Sequence, residues 1–294
     1  MSTRIGIIGG TGLYSIDGLS DVEEIEIETP FGEPSSPIVS GRCGDAQLFF
    51  IARHGVGHVI SPSEIPYRAN IYALKQLGAQ WCLSVSAVGS LAEERAPGDL
   101  VVPDQIIDRT KGRSSSFFER GLVGHVAFAD PYCPVLRQAL SEVASELVSA
   151  SNKVHSDGTY LCMEGPQFST RAESRMYRSW GANIIGMTGL PEAKLAREAE
   201  LSYATLAMVT DYDCWRSESS DVDIEEILAT MKENVSVARA IIPALAQKLA
   251  SLEPSPMCSK ALEFALVSDR SLIPDELKKK LKPIIGKYLE AEPT

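Results

Sequence analysis

The stretch RIGIIGGTGLYS, residues 4–15, decides how the chain begins to fold. Its apolar half reads as a short buried strand, and its glycines as a tight turn at the strand end. A dinucleotide fingerprint at such a turn needs G-x-G-x-x-G, a helix behind it, and an acidic residue about twenty positions on. Gly10 and Gly12 supply the first two glycines, but Ser15 stands where the third belongs. The YSIDGLSD that follows reads as a loop. Consecutive backbone N–H groups around residues 9–12, with the Thr11 hydroxyl, form an alternative: a nest for a small anion. A plain turn that needs only glycine's positive φ stays open beside it.

Outward from this stretch, strands and helices alternate. AQLFFIARHG, QWCLSVSAVGS, KVHSDGTYLCMEGP, NIIGMTG and LSYATLAMVTDYDCW read as strands running into polar ends, and PGDLVVPDQIID as two strand pieces. EIPYRANIYALKQLGA carries apolar residues at 67, 71, 74 and 77, the spacing of a helix face. PYCPVLRQALSEVASELVSA and LPEAKLAREAE read as further helices. FSTRAESRMYRSWGA is one opened by a serine or threonine cap, and residues 222–252 are mostly helix around Pro243. Residues 109–128 are polar and irregular, a loop. The rhythm predicts an α/β sheet covered on both faces.

The 294 residues are 44 % apolar, enough for a core that needs no metal or disulfide, and the net charge of −11 argues against nucleic acid and anionic membranes as partners. The six cysteines, at 43, 82, 133, 162, 214 and 258, form no CxxC pair, and Cys82 and Cys162 lie in apolar runs as buried free thiols. There is no basic n-region with an apolar h-region, so a reducing cytoplasm is the expectation.

Ligands of open α/β sheets bind at the carboxyl ends of strands. Those ends carry Thr11; Arg53 and His54; Ser86, Ala87 and Gly89; Glu164 and Phe168; Met187 and Thr188; and Thr210, Asp211 and Asp213. Arg53 can grip two oxygens of an oxyanion through its fork, or serve as one half of an ion pair. His54 can hold an anion or buttress its turn; His58 reads as surface or packing. Asp211 and Asp213 follow a run that should be buried. A buried carboxyl takes a partner or a proton, and a protonated one is a general acid. The bland reading is that each caps the next loop.

GIIGGTGLY, TPFGEPS, ARHG, SAVGS, PGDLVVPDQIIDRT, MEGPQFSTRAES, GMTGLPEAKLAREAE and TDYDCW follow one another from about residue 5 to 240. Together they resemble the trimeric purine nucleoside phosphorylases, in the branch that acts on methylthioadenosine. The resemblance implies one α/β domain over residues 1–250, with a central mixed, partly barrel-like sheet flanked by helices. Residues 251–294 would be a helical extension on the same domain or on a neighbouring subunit. It implies a homotrimer that converts methylthioadenosine and phosphate to adenine and 5-methylthioribose 1-phosphate, with no organic cofactor or metal and with inorganic phosphate as co-substrate. Phosphate would meet Thr11, Arg53, His54, Ser86, Ala87 and Thr188. Met187 would lie against the ribose and Phe168 near the base. Asp211 would donate to purine N7 and Asp213 would recognise the 6-amino group. Ile224 and Ile227 would flank the 5' substituent, with His125 and Leu272 arriving from a neighbouring subunit. Gly189 stands where close relatives commonly carry a hydroxyl residue, and Ser86 stands in for threonine. A 6-oxo phosphorylase and a non-catalytic nucleoside binder are the alternatives.

Overall fold

The computed structural model describes residues 2–10, 13, 16, 18–149, 151–216 and 224–289; the side chains of 224–229 and 231–233 fall outside that description. In chain order the elements are β1 (Arg4–Gly9), β2 (Ser20–Ile25), β3 (Ile38–Cys43), β4 (Ala46–Ala52), α1 (Tyr67–Gln76), β5 (Trp81–Ser90), β6 (Leu100–Val101), β7 (Gln105–Arg109), α2 (Pro134–Leu147), β8 (Val154–His155), β9 (Thr159–Met163), α3 (Arg171–Ser179), β10 (Ile184–Gly186), α4 (Gly189–Glu198), β11 (Ser202–Tyr212), α5 (Ile224–Leu249), α6 (Pro256–Ser259), a 3-10 turn (Arg270–Leu272), α7 (Asp275–Lys280) and α8 (Lys282–Leu289). The described element after β1 is a strand, β2, and not the helix that a dinucleotide site requires.

Near-continuous apolar runs make central strands buried on both faces. β5 and β11 are such strands, and they pair in parallel along their whole length. β4, β1 and β5 are also mutually parallel, whereas β10 meets the end of β5 antiparallel. The path runs β2-β3-β4-β1-β5-β10-β9-β7, with β11, β6 and β8 branching from β5. The sheet is therefore mixed and flanked by helices, as expected, and it branches without closing into a barrel.

One apolar cluster joins α1 (Ile71, Leu74) and α4 (Leu195) to the C-terminal Leu281, Ile284 and Ile285. A second joins α2 (Leu136, Leu140) to α5 (Ile241, Leu245, Leu249). The C-terminal segment packs on its own chain. Tyr72 Oη donates to Lys280 O at 2.8 Å, and buried Glu200 accepts from Leu262 N at 3.0 Å and pairs with Lys287 at 2.6 Å. Thr170 caps α3 in a reciprocal box with Glu173, the start signal that the sequence displays. All six cysteines are free; Cys82 and Cys162 are wholly buried, and burial pushes the Cys162 thiol up to about 12.

Two features of β5 and β11 position the site. β5 pairs with β1 over Trp81–Ser84 and passes to β10 at Gly89 and Ser90, so one strand serves both arms of the sheet. β11 carries a bulge: Val209 opposes Val88 and Asp211 opposes Gly89, leaving Thr210 as the extra residue. Bulges re-aim side chains near active sites.

Candidate active site

The strand ends enclose a cavity of ≈ 350 Å³. Of the residues picked from the sequence, Arg53, His54, Ser86, Ala87, Thr188, Phe168, Met187, Asp211 and Asp213 line it together. Thr11 lies outside the described residues, as do the side chains of Ile224 and Ile227. His125 and Leu272 do not line this chain's cavity. Both are exposed on the outer surface formed by residues 122–125 and 265–272, where Val123 and Val267 are also exposed. His125 N donates to Ala265 O at 2.8 Å, which ties the two segments together.

Arg53 does not offer its fork to the cavity. Nε and Nη2 both meet the Glu192 carboxylate, at 3.0 and 3.1 Å; Nη1 donates to Val85 O at 3.0 Å, and Nη2 to Ser84 Oγ at 2.7 Å and Ile8 O at 3.1 Å. The two-oxygen grip expected on an oxyanion is a grip on Glu192, because a guanidinium only 2 % exposed requires a fixed counter-charge. Tyr203 Oη donates to the same carboxylate at 2.9 Å. Arg53 thereby ties the end of β1 to the middle of β5 and the first turn of α4.

Beside it, His54 Nδ1 donates to Ile60 O at 2.9 Å, and burial pushes the ring down to about 4. The imidazole is thus neutral at pH 7, with Nε2 left as an acceptor. His58, which reads as surface or packing, is exposed and stacks on His54 at 4.2 Å between centroids, and it also lines the cavity. Its φ of 59° is the left-handed turn that brings it there, and nothing in the sequence marks it. Ser86 Oγ and Thr188 Oγ1 stand 3.4 Å apart, both side chains nearly covered. Thr188 precedes α4, yet its hydroxyl makes no capping bond.

The aspartates meet the cavity through Gly89. A Cβ there would sit 3.1 Å from Asp211 Oδ1 and 3.5 Å from Asp213 Cβ, so glycine makes room for both carboxyls. Thr210 Oγ1 contacts Asp211 Oδ2 at 2.7 Å, and this bulge residue lines the cavity too. Burial pushes Asp211 up to about 6, against the opposing pull of the Thr210 hydroxyl. Burial also raises Asp213, against the hydroxyls of Ser174 and Ser169 nearby. Asp213 N donates to Ser90 O at 3.1 Å, and Trp215 Nε1 to the same carbonyl at 2.8 Å, fixing the turn. Asp213 Oδ2 is buried with no hydrogen-bond partner among the described residues. Such an atom calls for a donor from a ligand. Acid, acceptor and hydroxyl cradle therefore face one space, an arrangement that can bind an anion and protonate a leaving group.

The family model described as "Phosphorylase superfamily" matches residues 4–247. The chain belongs to that superfamily. A relative in Thermosynechococcus vestitus named S-methyl-5'-thioadenosine phosphorylase is 50 % identical, covering 98 % of this chain and 100 % of that one. Thus the C-terminal segment, beyond the family model, is shared with full-length relatives. The solved methylthioadenosine phosphorylase from an antarctic soil metagenomic library superposes with a TM-score of 0.92 at 47 % identity, over 96 % of this chain and 99 % of that one. A variant of the Schistosoma mansoni adenosine/methylthioadenosine phosphorylase, in complex with methylthioadenosine, has a TM-score of 0.80 at 36 % identity, over 89 % and 95 % of the two chains.

In this phosphorylase the glycine at 189 has a local cause. A Cβ there would lie 2.9 Å from Tyr160 Cε1 and 3.1 Å from Ile106 Cδ1, and one at Gly186 would lie 2.2 Å from Tyr160 Oη. The Tyr160 ring fills the space that a side chain at 189 would occupy. Its hydroxyl lies near the N–H groups of Thr188 and Gly189 but without hydrogen-bond geometry to them. Gly189→Ser is expected to destabilise by about 1–3 kcal/mol through overpacking, and Tyr160→Leu in the same chain is expected to recover most of that loss. Thermal melts of the two single variants and the double variant check the coupling.

Proposed function

We propose that this chain cleaves S-methyl-5'-thioadenosine with inorganic phosphate, giving adenine and 5-methylthioribose 1-phosphate, a step of purine and methionine salvage. The observation that carries the reading is the pair of aspartates, Asp211 half-buried and Asp213 buried with an orphan oxygen, in the same cavity as the Ser86–Thr188 hydroxyls. The names of the full-length relatives support the same substrate.

Phosphate enters beneath C1' of the pentose, held by Ser86, Thr188 and the Ala87 amide, with its own O–H donating to Nε2 of the neutral His54 ring and with Thr11 completing the nest. The Arg53 charge stands beside it, shared with Glu192. A phosphate oxygen forms the new bond to C1' as the C1'–N9 bond breaks, and the bonding electron pair leaves with the purine. Asp211, protonated, gives its proton or a strong hydrogen bond to N7 as that charge develops. The Asp213 oxygen accepts from the 6-amino group, a donor that a 6-oxo purine lacks. Met187 lies against the ribose and Phe168 near the base, with Ile224 and Ile227 beside the methylthio group. The step as written needs neither an organic cofactor nor a metal.

The exposed surface bearing His125, Val123, Val267 and Leu272 supports a homotrimer in which it closes the 5' end of a neighbour's cavity. Sedimentation at three times the mass of one chain is the expected result. The reading takes the cytoplasm as the compartment, where six unpaired thiols stay reduced, and takes neither nucleic acid nor membrane as a partner. No helix among the described residues is long and apolar enough to cross a membrane.

The deciding assay offers methylthioadenosine, adenosine, inosine and methylthioinosine, each with and without phosphate, and measures free base. Phosphate-dependent release of adenine, fastest from methylthioadenosine, is expected. Release of base in water alone, or faster turnover of a 6-oxo nucleoside, sinks the reading.

A further inference from the structure

The irregular loop after β7 carries a cation that lines no part of the cavity and yet touches its walls from behind. The Arg113 side chain is 2 % exposed. Its Nη1 reaches Met187 O and Leu190 O, each at 2.7 Å, and Tyr67 Oη at 3.0 Å; Nη2 donates to Glu164 O at 2.7 Å; and Nε pairs with the Glu164 carboxylate at 3.1–3.2 Å. Tyr67 Oη in turn donates to Pro62 O at 2.9 Å. Pro62, Met187 and Thr188 all line the cavity, as does Phe168 at the end of the turn that Glu164 begins. Three wall segments distant in sequence thus converge on one guanidinium.

We infer that Arg113 is a positioning residue, which sets the approach of Met187 and Thr188 to the substrate by gripping the carbonyls of Met187 and Leu190, on either side of Thr188. The inference rests on the function proposed above and deepens it. The peptide between Met187 and Thr188 is trans, since the cis bonds are Gly165–Pro166 and Leu190–Pro191. A trans peptide points its N–H opposite to its C=O. Arg113 holds Met187 O, so the Thr188 N–H points the other way, toward the Tyr160 hydroxyl, and the plane of the peptide from which the Thr188 side chain enters the cavity is fixed. Glu164 neutralises the cation and is itself held by Lys111 N at 2.6 Å, so the clamp supplies geometry and adds little net charge to the cavity. Lysine cannot replace this fork, because one ammonium cannot reach several separated oxygens in one plane.

The test compares the wild type with Arg113→Lys and Tyr67→Phe, using methylthioadenosine and inorganic phosphate well below each melting temperature. Arg113→Lys is expected to lose roughly 10- to 100-fold in kcat/KM. The loss should divide between the KM for phosphate, through Thr188, and the KM for nucleoside, through Met187. Tyr67→Phe, which removes one hydroxyl and little packing, is expected to raise the phosphate KM by about threefold with its melting temperature nearly unchanged. Constants within twofold of the wild type for Tyr67→Phe, and for Arg113→Lys where it folds, overturn the inference. If Arg113→Lys does not fold, Tyr67→Phe decides alone. Release of base by the wild type without phosphate overturns the proposed function instead, and the nucleoside KM of the variants still decides the role of Arg113.

Discussion

Asp211→Asn is expected to lower phosphorolysis by about 10²–10⁴-fold, the usual worth of a general acid, and at the same time to melt at a higher temperature than the wild type at pH 7.5. The second half follows from linkage. Burial raises the Asp211 pKa to about 6 from its ordinary 3.8, so the folded chain holds this proton more tightly than the unfolded one. The resulting stability is full below pH 4 and is lost as pH rises through 6. At pH 7.5 the wild type keeps an ionised carboxylate in a poor solvent, and asparagine removes that cost, on the order of 1–3 kcal/mol. His54 works in the opposite sense. Its pKa is pushed down to about 4, so its contribution is full above pH 6.5 and is lost as pH falls through 4. Between pH 4 and 6 the two slopes oppose each other in the wild type. In Asp211→Asn the His54 slope is left without that opposition, and melting temperature should climb more steeply over this range. In kinetics, kcat/KM of the wild type should fall above an apparent pKa near 6, and the variant should lack that limb. A variant that turns over at the wild-type rate ends the acid role.

The second large effect belongs to Glu192. Glu192→Ala leaves the Arg53 guanidinium buried without its counter-charge and strips Tyr203 Oη of its acceptor. Breaking a buried pair from one side costs about 3–5 kcal/mol, a fall in melting temperature on the order of 10 °C for a chain of this size. The double variant Arg53→Met/Glu192→Leu separates the two roles of the pair. Replacing both partners by apolar groups is often neutral for stability, so the melting temperature should largely return. Phosphate affinity should not, because the cation beside the cradle is gone. Melting curves with and without added phosphate distinguish these outcomes, and a double variant with wild-type phosphate protection removes Arg53 from the anion site.

The succession of strands, helices and polar strand ends was legible because burial writes itself into apolar periodicity. So was the gathering of Ser86, Thr188, Asp211 and Asp213, since carboxyl ends of neighbouring strands in such a sheet open on one side. What escaped depended on contacts across long stretches of chain. Glu192 looks like an acidic residue opening a helix, and its partner lies 139 residues earlier. Arg113 sits in a polar loop whose composition advertises nothing about the carbonyls it meets. The Thr210 bulge is invisible too, since an inserted residue alters register without altering composition. Glycine at 189 is a departure whose cause, the Tyr160 ring beside it, lies far back in the chain and leaves no local sequence signal.

β5 carries Ser86 and Gly89 on one continuous backbone, three residues apart. At a rise of roughly 3.3 Å per residue, the proposed function would have anion recognition at Ser86 and purine recognition beside Gly89 held about 10 Å apart by covalent structure. On that proposal the strand is a ruler, with the sugar lying along it. Ligands of another span have no simple route into this scaffold, and changes of preference should come from the flanking walls while the graduations stay as they are.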